Sequence, residues 1–166
     1  MSRGLRAALA ALVLVAGCGG GASGNRTFSS RRVPFTFEYP AGLKRCGNFG
    51  GSIVVLGWCS SSPTFGITST DYVSAGRYSP RAVPLGRLDD TLGRLVPNAW
   101  KSVRRERHSG MAMVVARGER KAGYPYSGYF FPLAGQTWRI DCASSPSHLK
   151  GSQAACREAV ESVKPR

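Results

Sequence analysis

From Val33 to Tyr39 the chain alternates. Val33, Phe35, Phe37 and Tyr39 are apolar, and Pro34, Thr36 and Glu38 stand between them. A period of two predicts a strand with one buried face. Pro34 near its start fits an edge position, and Pro40 and Gly42 end it. Residues 52–58, SIVVLGW, form a continuous apolar run and predict a more buried strand. Residues 64–70, TFGITST, predict a third, with Phe65, Ile67 and Ser69 on one side, and the CSSSP turn between the two predicts a hairpin. At 84–96 the period changes. Leu85, Leu88, Leu92 and Leu95 recur at helical spacing, Pro84 suits a first turn, and Pro97 stops the helix. Gly86 and Gly93 each weaken it by about 1 kcal/mol relative to alanine, so packing on a sheet must hold its apolar face.

Strands return afterwards. The pattern predicts them at 100–108 (WKSVRRERH), 111–117 (MAMVVAR), 126–133 (YSGYFFPL) and 136–142 (QTWRIDC), with turns at Ser109-Gly110 and Ala134-Gly135. In the last strand Trp138, Ile140 and Cys142 share one face, while Thr137, Arg139 and Asp141 share the other. A closing helix at about 152–163 carries the stripe Cys156, Ala159, Val160 and Val163. The sum is α+β: a central antiparallel sheet with helices packed on it.

The amino terminus follows a different rule. Arg3 and Arg6 precede an apolar run from Leu5 to Val15. The run is shorter than the roughly 20 residues a membrane-spanning helix needs and matches the apolar core of an export signal. It ends in Val15-Ala16-Gly17-Cys18. This stretch resembles the lipobox of bacterial lipoproteins, in which a branched apolar residue, two small residues and a cysteine stand in that order. The resemblance implies cleavage after Gly17 and a diacylglyceryl thioether on Cys18. The alternative is an ordinary signal peptide with a chance cysteine. Because one acyl chain holds a protein only marginally, a diacyl group suits stable anchoring.

The chain then divides into a signal peptide (1–17), the lipidated cysteine with a Gly/Ser tether (18–32) and a single α+β domain (33–166). The tether spans roughly 20 Å as a random coil. The expected location is the outer side of the bacterial cell membrane, reached by export and held by lipid.

Charge narrows the partners. The formal net charge is +14, and removal of Arg3 and Arg6 with the leader leaves +12. A basic chain suggests phosphate binding, but an exported lipoprotein rarely meets nucleic acid, so none is expected as a partner. The available anions are lipid headgroups and wall polymers, and each Lys or Arg near an anionic surface contributes about 1 kcal/mol. Solubility and the codon bias of a GC-rich genome, which favours arginine, account for the same charge without any partner.

Of five cysteines, Cys18 goes to lipid and Cys46, Cys59, Cys142 and Cys156 remain. An even number in an exported chain implies disulfides. Locality favours Cys46–Cys59 and Cys142–Cys156, each loop worth about 3 kcal/mol. Zinc is a weak rival: there is no C-x-x-C, and neither histidine lies at ligand spacing from a cysteine. No metal or cofactor is expected.

A strand ending in FEYPAG, a middle helix, a strand meander, and WRIDCASS followed by AACREAVESV are together similar to the PsbP-like α/β/α sandwich, over most of residues 33–163. The resemblance implies a binding or assembly role. The basic stretch Arg104–Arg107 departs from that pattern.

No catalytic motif is present: no G-x-S-x-G, no Walker loop and no H-E-x-x-H. His108 and His148 fall at a turn and in a loop and read as solvated. Asp89 and Asp90 are adjacent, so on a helix they point about 100° apart and do not face each other as a glycosidase pair must. Asp141 beside Arg139 reads as an ion pair. GNFGGS (47–52) lacks a following helix to bind phosphate.

Two stretches offer a surface. Lys101, Arg104, Arg105 and Arg107 form either a dock for anionic lipid or wall polymer, or a charged edge that prevents sheet-to-sheet aggregation. The aromatics of 124–131 either line a pocket or pack a core. The expected function is a non-enzymatic, membrane-anchored envelope lipoprotein that binds an envelope component or protein partner. A carrier of a small apolar ligand is the alternative.

Overall fold

The computed structural model describes residues 24–46, 52–58, 60–62, 66–68, 71–96, 98–120, 123–145 and 148–166. The alternation of 33–39 becomes β2 (Phe35–Pro40), with Phe35 and Phe37 fully buried. Each such side chain contributes roughly 1.5–3 kcal/mol on leaving water. β2 is not an edge strand, as Pro34 had suggested. Pro34 lies just outside it, and β2 sits between β1 (Asn25–Phe28) and β12 (Lys164–Pro165) in a small antiparallel sheet. Residues 25–28, assigned by composition to the tether, therefore belong to the fold. Phe28, the one large side chain in that stretch, is buried against Phe37 with ring centroids 4.9 Å apart.

The main sheet has seven antiparallel strands in the order β3-β4-β7-β11-β10-β9-β8. They are β3 (Lys44–Arg45), β4 (Ser52–Gly57), β7 (Tyr72–Ser79), β8 (Ser102–His108), β9 (Met111–Arg120), β10 (Tyr124–Leu133) and β11 (Gln136–Ala143). The Ala134-Gly135 hairpin forms as expected, both residues taking the positive φ that a two-residue turn needs. The expected pairing of 52–58 with 64–70 does not occur. β4 pairs with β3 and β7, while β5 (Ser60–Ser62) and β6 (Gly66–Thr68) pair with each other. β7 is an interior strand that the pattern missed. Covered on both faces, it reads as Tyr-Val-Ser-Ala-Gly, without alternation.

α1 (Leu85–Gly93) covers one face through Leu88 and Leu92, which meet Trp100, Val114, Ala116 and Phe130. It ends four residues before Pro97, which lies outside the described residues. α2 (Leu149–Glu161) and the small sheet cover the other face, over the larger core of Val54, Val73, Met113, Phe131 and Ile140. The Cys142–Cys156 disulfide joins β11 to α2 across that core, with Cα atoms 5.8 Å apart. The α+β architecture expected from the sequence is the one observed.

Candidate functional site

Half of the cations singled out on the basic edge strand are ion-paired. β8 pairs only with β9 and so forms the sheet edge. Lys101 meets Glu119 at 2.5 Å, Arg105 meets Asp89 of α1 at 2.9 Å, and Arg107 donates to the Gly110 carbonyl at 2.6 Å. Of the four cations singled out by sequence, only Arg104 has no bonding partner among the described residues.

The opposite face of the same hairpin is tied more tightly. Arg117 grips Glu106 with both guanidinium nitrogens. His108 lies between Glu106 (3.0 Å) and Glu161 of α2 (2.7 Å), and only the doubly protonated ring donates to both. Arg117, and after it His108, holds the Glu106 carboxyl down at about 2 although burial pushes it up. The His108 hydrogen bond likewise lowers Glu161. His108 is thus a structural tie between the edge hairpin and α2, not the solvated turn histidine that its sequence context suggested.

His148 is also engaged. Its ring stacks on Trp58 with centroids 5.5 Å apart, and Nδ1 lies 3.3 Å from buried Asp71. Asp71 also accepts from the Ser145 hydroxyl at 2.6 Å and the Ser152 hydroxyl at 2.9 Å. A carboxylate so occupied anchors the entry to α2, and the positive helix end favours it there. Asp141 pairs with Arg139 at 3.1 Å, as the sequence suggested, and accepts from the Tyr126 hydroxyl at 2.9 Å.

Of the aromatics of 124–131, Tyr129, Phe130 and Phe131 are core and Tyr126 packs against it, and Tyr126 and Tyr129 also line a groove of about 300 Å³. Tyr126 stacks on Trp100 at 5.3 Å beneath α1, and Phe131 packs edge-on against Phe35 at 5.3 Å on the other side. Gly128 lets them close: a Cβ there would lie 2.7 Å from the Phe130 ring.

The feature that sequence reading missed lies over β4, β7 and β11. A cleft of about 640 Å³ opens where the small sheet and the main sheet diverge. Arg31 and Arg32 of the β1–β2 connection and Arg77 of β7 line it, with Ser52, Gln136 and Trp138 among the remaining wall. Arg77 pairs in register with Trp138 and follows the inward positions Val73 and Ala75, so it stands on the core face where the covering layer stops. Register shifts flank it on both sides, at Ile53 of β4 and at Tyr78 between Arg77 and Ser79. Such bulges re-aim side chains.

The Arg31–Arg32 loop is held in place. Val33 is buried in the core, its N–H closes a turn on the Ser30 carbonyl at 3.1 Å, and Arg166 donates to that same carbonyl at 2.9 Å. All nine carboxylate side chains of the protein lie among the described residues, and none lines this cleft. None of the three guanidinium groups makes an ion pair with a described residue.

Cys18 and Cys59 lie outside the described residues. Cys46 is buried and disulfide-bonded. The groove beside Tyr126 and Tyr129 borders the Cys142–Cys156 disulfide and is edged by Arg117 and Arg157.

With this geometry in hand, the fold is PsbP-like. It is similar to the solution structure of cyanobacterial PsbP (CyanoP) from Synechocystis sp. PCC 6803, with a TM-score of 0.59 and 12% identity over 92% of this chain and 99% of that one. It is also similar to a crystal structure from Bacteroides thetaiotaomicron VPI-5482, with a TM-score of 0.56 and 12% identity over 84% of this chain and 48% of that one. At such identity the likeness establishes the fold alone. No protein-family model matches the chain, and no curated protein does.

Proposed function

We propose that this is a membrane-anchored cell-envelope lipoprotein that binds an anionic envelope component without turning over a substrate. The charge distribution carries the reading. Seven of the nine carboxylates are bonded to other groups, four of them around the β8–β9 hairpin, while a cleft edged by three arginines has none. No helix among the described residues is long and apolar enough to cross a membrane. In this reading attachment comes from lipid on Cys18.

Two measurements test it. Intact mass of the membrane-extracted protein is expected to equal residues 18–166 plus acyl groups; an unacylated mass overturns the anchor. The acylated protein in neutral detergent is then titrated with short-chain phosphatidylglycerol and with short-chain phosphatidylcholine. Binding of the anionic lipid only is expected, and equal or absent binding overturns the reading. A neutral apolar molecule carried through native mass measurement, and lost on denaturation, would favour the carrier alternative instead.

A further inference from the structure

We infer that the cleft between Arg31, Arg32 and Arg77 is a binding site for a terminal phosphate group borne on a partly apolar body. The inference rests on the anionic-binding reading and gives it a location and a chemical class.

The polar lining side chains are all able to donate: three guanidinium groups, the Gln136 amide and the Ser52 hydroxyl. No carboxylate side chain lines the cleft to compete for them. A phosphomonoester carries about −1.5 to −2 charge at neutral pH and three strong acceptor oxygens. A carboxylate carries one charge and two oxygens. Guanidinium forks match phosphate oxygens two at a time, and here they arrive from two separate elements, the β1–β2 loop and β7, so they approach from different directions.

The cleft volume of about 640 Å³ falls in the range of small-molecule sites and exceeds what a bare phosphate fills. The remaining wall includes Val33, Pro34, Ile53 and Trp138, an apolar surface for the rest of the ligand. The backbone of the site is preformed: the loop is fixed by Val33 and Arg166, and Arg77 by the sheet, so only side chains are ordered on binding.

The test uses the acylated full protein in neutral detergent. Inorganic phosphate is titrated by calorimetry against the unsubstituted protein, Arg77→Gln, the double variant Arg31→Gln/Arg32→Gln, and Arg104→Gln. The last removes one equally unpaired charge far along the chain, on the edge strand β8. Saturable binding is expected, weakened roughly tenfold or more by the cleft variants and less than about twofold by Arg104→Gln.

No saturable phosphate binding, or equal loss in Arg104→Gln and Arg77→Gln, overturns the inference. Short-chain phosphatidic acid then separates the sources. Binding at least about tenfold tighter than inorganic phosphate, and lost in Arg77→Gln, assigns a lipid headgroup; such a gain for a soluble aryl phosphomonoester but not for phosphatidic acid assigns a soluble ligand, and no gain for either overturns the apolar body. Phosphatidylglycerol binding that persists unchanged in Arg77→Gln leaves the anionic-binding reading standing and removes the cleft as its site.

Discussion

The protein has two basic regions that differ in what surrounds the charge. The β8 edge strand is the densest run of cations in the sequence, yet Lys101, Arg105 and Arg107 each have a partner, and the reverse face is locked by Arg117–Glu106–His108–Glu161. The cleft draws its arginines from positions more than forty residues apart, and no carboxylate lines it. Charge density along a chain therefore does not report how much of that charge is left unpaired. With only nine carboxylates against 23 Lys and Arg, the field at any point depends on where the few acids are placed. Here four of them are gathered at the edge hairpin, and none lines the cleft over β4, β7 and β11.

Breaking the staple should separate the regions most strongly. Glu161 of α2 completes the edge-strand network, whereas no residue of α2 lines the cleft. Replacing Cys142 and Cys156 together by alanine is expected to cost about 3 kcal/mol, a fall in Tm of about 10 °C. Phosphate affinity measured well below that Tm should stay within about twofold. An affinity that falls in step with stability would show that the cleft depends on the helix after all.

The next effect is on acid stability. The folded Glu106 carboxyl titrates at about 2, below its ordinary value of 4.5. A depressed carboxyl adds stability that is fully present above its unfolded pKa and is lost as pH falls through the folded one, here between about 4.5 and 2. At about 1.36 kcal/mol per unit, reduced for partial exposure, the contribution is roughly 1–2 kcal/mol. Thermal melts from pH 6 to pH 2 should show Glu106→Gln less stable at pH 6, with a shallower decline toward acid than the unsubstituted protein. Parallel curves would mean that the Arg117 clasp contributes nothing. Arg77→Gln, having no partner to lose, should leave the whole curve unchanged.

Much of the scaffold was legible because one-sided burial imprints a period. Phe35-x-Phe37, Trp138-x-Ile140-x-Cys142 and the leucines of α1 each state which face is covered. β7 was not legible for the converse reason. Both its faces are buried and its centre is Ser74-Ala75-Gly76, so no polar position marks a surface. β1 hid because three of its four residues are exposed, and only Phe28 reports burial. The cleft was invisible for a physical reason too. Arg31 and Arg32 look like the end of a linker and Arg77 like a surface residue, and only the pairing of Arg77 with Trp138 reveals that it occupies an inward position. A single arginine following Val73-x-Ala75 in the same period was the one available signal.

The smallest expected effect tests whether pairing or shape distinguishes the two regions. Asp89→Asn combined with Glu119→Gln strips Arg105 and Lys101 of their partners and leaves Glu106 and Glu161 only on the reverse face of the hairpin. Both cations are exposed, at 56% and 65% of their side-chain surface, so the lost pairs should cost under about 1 kcal/mol together. If bare charge were enough, calorimetry would reveal a second saturable phosphate site comparable to the first. We expect none. Ordering the side chains costs about 0.5–1.5 kcal/mol each at either place, but an open edge offers no second wall to meet the ligand, and at 0.1 M salt bare attraction fades within about 10 Å. A weak, salt-sensitive increment at most is the expected result. A second site of equal strength would show that acid placement alone, rather than the bulged strands and the pinned loop, makes the cleft different.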